Sequence, residues 1–318
     1  MSATADDSAI IVSGTARAGK CETGAPGGTT VTRTNWLVVA VVTLSTAALG
    51  PRTGTAQGDP LRLAEEAYRK DDFKTAVAQA KLAVAADPKR VEPRVLLGLA
   101  CGQTRDQAGA IEAFTAALAL EPKNAFALDR RGDARLKSGQ YADAVADFDA
   151  VLALKPELAP EHWRRGIALY YAGKYADGVA QFETHKKANP EDVENAAWHY
   201  LCNAKVVGPA KARAQLIAVT RDPRVPMAEV QKLYAGQLKP ADVLAAADAL
   251  KADADAGKEA RFYANLYVGL YYESAGDPAK RTEHLTAAVE KFKIGHYMWD
   301  VANAHLAALK AAEKPPAK

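Results

Sequence analysis

Six histidines (His162, His185, His199, His284, His296 and His305) and three cysteines (Cys21, Cys101 and Cys202) are the side chains here best suited to metal or nucleophile chemistry. Their spacing supports little of it. No histidines form HExxH, no cysteines form CxxC, and the cysteines are too scattered for a zinc-type or redox pair. His199 and Cys202 stand at i,i+3 on one helical pattern, enough only for a weak surface or redox site. A Cys/His nucleophile pair also needs a cleft and an oxyanion donor. The glycines follow a fixed spacing instead of forming a phosphate loop. No metal, cofactor or catalytic residue is therefore expected. A small-ligand or enzymatic site around His199, Cys202, Tyr263, Tyr267 and His296 stands as an alternative reading.

The elements that must position these groups announce themselves by periodicity. Pro88, Pro122, Pro156 and Pro190 fall 34 residues apart. A small residue lies twelve positions before each (Ala76, Ala110, Ala144, Gly178). Glycine lies twenty-four before the last three (Gly98, Gly132, Gly166), with Ala64 in that slot of the first unit. Two antiparallel helices approach closely only where the crossing residues are small, and proline closes each unit because it cannot continue a helix. Phe114, Phe148 and Phe182, eight before the proline, are expected to point toward the next unit. One such unit cannot bury its apolar face alone, so stability must come from stacking. The pattern resembles the tetratricopeptide repeat (TPR) family. That resemblance implies an all-α, right-handed superhelical solenoid of antiparallel helix pairs with a C-terminal capping helix, one elongated body.

The register divides the chain. Repeats are expected at 57–90, 91–124, 125–158 and 159–192, with a degenerate fifth at 193–226 in which Tyr200 takes the glycine slot and Pro209 starts the second helix. An irregular helical linker follows at 227–261. A last TPR-like pair and capping helix occupy 262–311, with Gly269, Gly276, Leu285 and Ala288 in repeat positions, and 312–318 is a loose tail.

Hydrophobic residues make up 49% and charged ones 25%, ordinary values, and the net charge is only +3 with basic residues spread along the chain. Nucleic-acid binding therefore lacks electrostatic support. The N-terminus differs in kind. Residues 1–34 are Ser/Thr/Gly/Ala-rich without periodicity and are expected to be disordered. The uncharged run 36–49 (WLVVAVVTLSTAAL) is short for a membrane span and matches the core of a secretory signal peptide within 35–56, with cleavage before Gln57 after Gly54-Thr55-Ala56. An uncleaved anchor is the alternative. The region preceding the apolar core is unusually long, which a true start near Val31 would explain. The expected location is thus exported, in the periplasm or anchored facing it, in preference to the cytoplasm. The membrane would be touched only through 36–49.

In TPR proteins the first helices line a concave face that holds peptides. The register places Phe126, Asp129 and Asp133 there in the third unit, Trp163, Ile167, Tyr170 and Tyr171 in the fourth, and Glu194, Ala197, Leu201 and Lys205 in the fifth. Aromatic side chains at such positions offer large contact area at low entropic cost. Asp129 and Asp133 would steer basic groups of a client. The co-chaperone set that grips a C-terminal carboxylate falls on Val95, Leu99, Arg130, Pro160 and Arg164, where only Arg164 agrees, so that ligand is not expected. Arg131 and Arg165 precede the slot glycines and should find carboxylates or reach solvent.

A closer resemblance covers roughly 90–310. HWRRGIALYYAGKYADGVAQF (162–182), WHYL (198–201) and RFYANLYVGLYYESAGD (261–277) occur in the order seen in NlpI-type TPR proteins of the bacterial envelope. It implies a non-catalytic adaptor, often a homodimer, that gathers envelope hydrolases and proteases. Those proteins carry a lipidated cysteine; this chain has none after its apolar run. A purely structural assembly protein is the remaining alternative.

Overall fold

The computed structural model describes residues 58–250 and 254–312. The expected disorder at 1–34, the segment 35–56 and all but the first residue of the loose tail lie outside the described residues. Everything regular among the described residues is helical, with no strand. The chain divides between Thr104 and Arg105 into two compact units.

The first unit holds α1 (Pro60–Arg69), α2 (Phe73–Ala86) and α3 (Glu92–Gln103). Asp59 and Asp72 cap α1 and α2, their carboxylates accepting from Leu61 N–H and Thr75 N–H, and Pro60 opens α1 where no intrahelical donor is missed. The core of this unit is small, largely alanine with Leu61, Tyr68 and Leu96.

The second unit begins with α4 (Gln107–Leu120), α5 (Ala125–Lys137), α6 (Tyr141–Leu154), α7 (Trp163–Tyr171), α8 (Tyr175–His185) and α9 (Val193–Val207). Consecutive helices pack in pairs. Asp106 and Asn124 cap α4 and α5 through Gly109 N–H and Ala127 N–H. Pro156 does more than close a helix: it opens a 3₁₀ segment, Pro156–Glu161, that leads into α7. The tight turn inside each repeat uses one left-handed residue, again at 34-residue spacing: Asp71 (φ 59°), Arg105 (61°), Gly139 (76°) and Gly173 (75°). Only the last two have the residue that adopts this conformation without steric cost.

The slot glycines have a physical cause. A Cβ on Gly132 would lie 2.7 Å from Phe148, and one on Gly166 would lie 2.5 Å from Phe182. Both phenylalanines therefore fill the glycine slot of their own unit, where the expectation had them point toward the next. Phe148 does also meet His162 beyond its unit, with ring centroids 4.7 Å apart. Gly178 is the between-unit contact, its missing Cβ leaving room for Cys202 Sγ at 2.6 Å. The arginines preceding the slots find partners in different places. Across the α5–α6 crossing Arg131 grips the buried Asp147 through Nε and Nη2 (3.0 and 2.6 Å), joined by Arg135 at 2.6 Å; Arg165 on α7 reaches back to Asp149 on α6 at 2.6 Å and across its own crossing to Gln181 on α8 at 3.0 Å.

Repeat geometry fails where Tyr200 replaces glycine. Its buried ring fills the slot and packs edge-on against Tyr234. The second helix shrinks to α10 (Pro209–Ala214), and 215–226 runs on without regular structure, because Ile217, Val219, Pro223 and Pro226 disfavour helix. The second helix expected from Pro209 does start there and ends at Ala214. Next come α11 (Met227–Tyr234), α12 (Pro240–Ala249), the long α13 (Ala254–Ala275) and α14 (Pro278–Thr286). In the α13–α14 pair Leu285 takes the phenylalanine role, 3.1 Å from where a Gly269 Cβ would be. A π-helical turn, Ala287–Lys291, leads to α15 (Tyr297–Ala312). The expected capping helix is thus present; it packs on α14 and also reaches back to α5.

Candidate functional site

Within the second unit α5, α7 and α9 carry the lining positions read from the register, and the structure covers them with the chain's own C-terminal helices. Trp163 on α7 meets Tyr297 of α15 edge-on at 5.0 Å, and Lys137 Nζ sits 4.5 Å over the same Tyr297 ring. Tyr171 stacks on Tyr141 at 4.7 Å, and its hydroxyl lies 3.2 Å from His305 Nδ1. Tyr170 donates to Glu273 of α13 at 2.6 Å, and His305 Nε2 approaches that carboxylate at 3.2 Å. Glu194 on α9 accepts from Tyr267 at 2.8 Å and pairs with Arg224. Ile167, Ala197 and Leu201 are buried. The expectation of an open groove is corrected at these positions: the tertiary fold fills it. Phe126, half-buried with Arg130 over its ring, and the exposed Lys205 remain at its rim.

Asp129 and Asp133 are correspondingly not free to steer a client. Arg164 donates to both oxygens of Asp129 (2.7 and 2.9 Å) and lies 3.6 Å from Asp133, which also pairs with Lys137 at 2.9 Å. Burial would raise the Asp129 pKa. Arg164 first, then His162 at 3.3 Å, outweigh it and hold the carboxyl well below the usual range. Asp133 is lowered in the same way, with Lys137 and Arg164 opposing burial. Glu273 is also lowered, its burial outweighed by His305 and Tyr170. Arg164, the single residue shared with the carboxylate-gripping set, is spent on these internal pairs.

The alternative site does not assemble into one cleft. Cys202 is fully buried and its thiol is pushed up by burial, the opposite of an activated nucleophile. His199, buried beside it on α9, faces Glu183 at 3.7 Å and is lowered, chiefly by burial. Tyr263 contacts His296 at 3.0 Å, whereas Tyr267 is committed to Glu194. No group of three or more His, Cys, Asp or Glu able to hold a metal occurs among the described residues.

Sequence reasoning missed the other half of the face: Tyr297, Asp300 and His305 on α15, Glu273 on α13, and Arg105, which pairs with Asp300 at 2.9 Å and lies over the Trp299 ring. An aromatic, acidic and basic set on a helix taken for a simple cap was the signal available.

Comparison with known proteins bears on the fold. Residues 91–124, comprising α3 and α4, match the tetratricopeptide repeat family. A tetratricopeptide repeat protein from Parabacteroides merdae ATCC 43184 shares the fold at TM-score 0.53 and 14% identity, over 77% of this chain and 97% of that one. MamA from Desulfovibrio magneticus RS-1 aligns at TM-score 0.45 and 23% identity over 50% of this chain and 92% of its own. PilW, a type IV pilus biogenesis factor, aligns at 0.43 and 16% over 79% and 96%. No curated protein sequence matches. The fold is therefore that of a tetratricopeptide repeat protein, all-α and built from stacked helix pairs.

Proposed function

We propose that this chain is a non-catalytic protein–protein interaction scaffold whose α5–α7–α9 face recognises helical segments of client proteins. One observation carries the reading: that face already holds two helices, α13 and α15, through aromatic edges and paired charges. Such contacts dominate protein interfaces because rigid aromatic groups lose little entropy on binding. Phe126 and Lys205 flank the covered zone and would meet a client first.

The proposal extends to place and partner. The apolar run 36–49 supports export to the cell envelope, and the NlpI-type resemblance supports hydrolases or proteases there as clients, with a homodimer as the scaffold's own assembly. A photo-crosslinking amino acid at Phe126, Lys205 or, as control, the exposed Lys187 just past α8 tests the face in the native cell. Distinct protein adducts at the first two positions and none at the third are expected. Equal adducts at all three, or none, would remove the face from the proposal. Mass spectrometry of the mature N-terminus and its cell fraction tests the location: a start near Gln57 in the soluble envelope is expected, and an intact N-terminus in cytosol would exclude it.

A further inference from the structure

The helix α15 is joined to the rest of the second unit by a segment that is not α-helical. A π-helical turn and the irregular stretch 292–296 precede it, and a side chain at Gly295 would touch nothing within 4 Å. Its polar groups reach segments distant in sequence: Tyr297 meets Trp163 and Lys137, Asp300 meets Arg105, and His305 meets Tyr171 and Glu273. Its apolar side packs into the core through Met298, Val301 and Leu306, but the polar groups near His305 are not all satisfied. The Tyr141 hydroxyl and the Trp198 indole N–H are buried without hydrogen-bond partners, and both rings abut Tyr171, at 4.7 and 5.7 Å, beside His305. Buried donors without acceptors are unfavourable, so an occupant that supplied acceptors would fit better.

We propose that α15 is an exchangeable occupant of the α5–α7 face, displaced by a client helix of the same chemistry. That client would carry an aromatic residue, a carboxylate three residues later and a base eight residues after the aromatic. It would add an acceptor for Tyr141 and Trp198. The inference rests on the reading of this face as a protein-binding surface. In the isolated chain the apparent client affinity is the intrinsic affinity multiplied by the fraction of molecules in which α15 is unseated.

Hydrogen exchange on the full chain, paired with binding of a fluorescein-labelled peptide of residues 293–312, tests this. In the wild type α15 amides are expected to exchange at least tenfold faster than those of α7 and α9. Asp300→Lys, which sets like charges against Arg105, should widen that gap and tighten peptide binding at least tenfold; adding Trp163→Ala should abolish the gain. Should Asp300→Lys fail to fold, Tyr297→Ala provides the same comparison, and the wild-type exchange pattern decides independently. Exchange of α15 only together with α7 and α9 would overturn the inference while leaving the scaffold reading intact, since a client could still bind the same face at Phe126 and Lys205, outside the covered zone. Separate opening without peptide binding in any variant would sink both. A concentration-dependent dimer of the loosened variant, lost with Trp163→Ala, would make the occupant a second copy and overturn the client form.

Discussion

Gly166 and Gly173 are seven residues apart and glycine for different reasons. At Gly166 an added Cβ would press into Phe182 at 2.5 Å; at Gly173 nothing lies within 4 Å, but φ is +75°. Gly166→Ala should therefore cost about 1–3 kcal/mol through overpacking, and Gly173→Ala about 1 kcal/mol through backbone strain alone. Thermal denaturation followed by circular dichroism should rank them in that order; the reverse would mean that the Phe182 ring has room to shift. Asp147, 3% exposed, holds both Arg131 and Arg135. Removing a buried partner of an ion pair costs about 3–5 kcal/mol when the other charge is trapped. Because both guanidinium groups reach solvent, Asp147→Ala should cost less, about 2 kcal/mol. A midpoint unchanged in urea would show that the two arginines simply hydrate.

At the scale of elements, pH should probe how α13 and α15 are held on α5 and α7. Asp129, Asp133 and Glu273 have native pKa values below the ordinary ones. Each contributes stability that is present above the unfolded value of about 4 and lost as pH falls through the native value. Asp300 runs the other way, raised by burial against the pull of Arg105, so its protonation on acidification is tolerated. The near-UV circular dichroism of the wild type should collapse on the acid side of pH 4, and Glu273→Gln should flatten that limb. An identical acid limb in the variant would free Glu273 from this role. On the alkaline side burial, aided by the Glu273 charge, pushes Tyr141 up to about 12. Stability tied to its neutral form is full below about pH 10 and declines as pH rises from there through the native value. Tyr141→Phe should retain more near-UV signal at pH 11 than the wild type.

For the whole molecule, the two units differ in what they bury. The first has a core that is largely alanine, the second one containing Trp198, Tyr200, Phe148, Phe182 and Phe262. Burial of large side chains is worth about 1.5–3 kcal/mol each, so native-state proteolysis should cut within 58–104 before it cuts α7 or α9; the opposite order would contradict this ranking of cores. No described helix is long and apolar enough to cross a membrane. The repeat architecture was legible in the amino-acid order because its rules are local. Proline ends a helix, glycine admits a close crossing, and both recur every 34 residues from Pro88 to Pro190. The left-handed turn was half legible, visible at Gly139 and Gly173 and hidden at Asp71 and Arg105. By itself the sequence determined helix, its pairing and the 34-residue period that sets small residues at the crossings. Only the tertiary structure decided what covers the side chains of α5, α7 and α9. Tyr170 meets Glu273 across 103 residues and Tyr171 meets His305 across 134, contacts set by how distant helices pack and by no rule acting within a few residues of either partner.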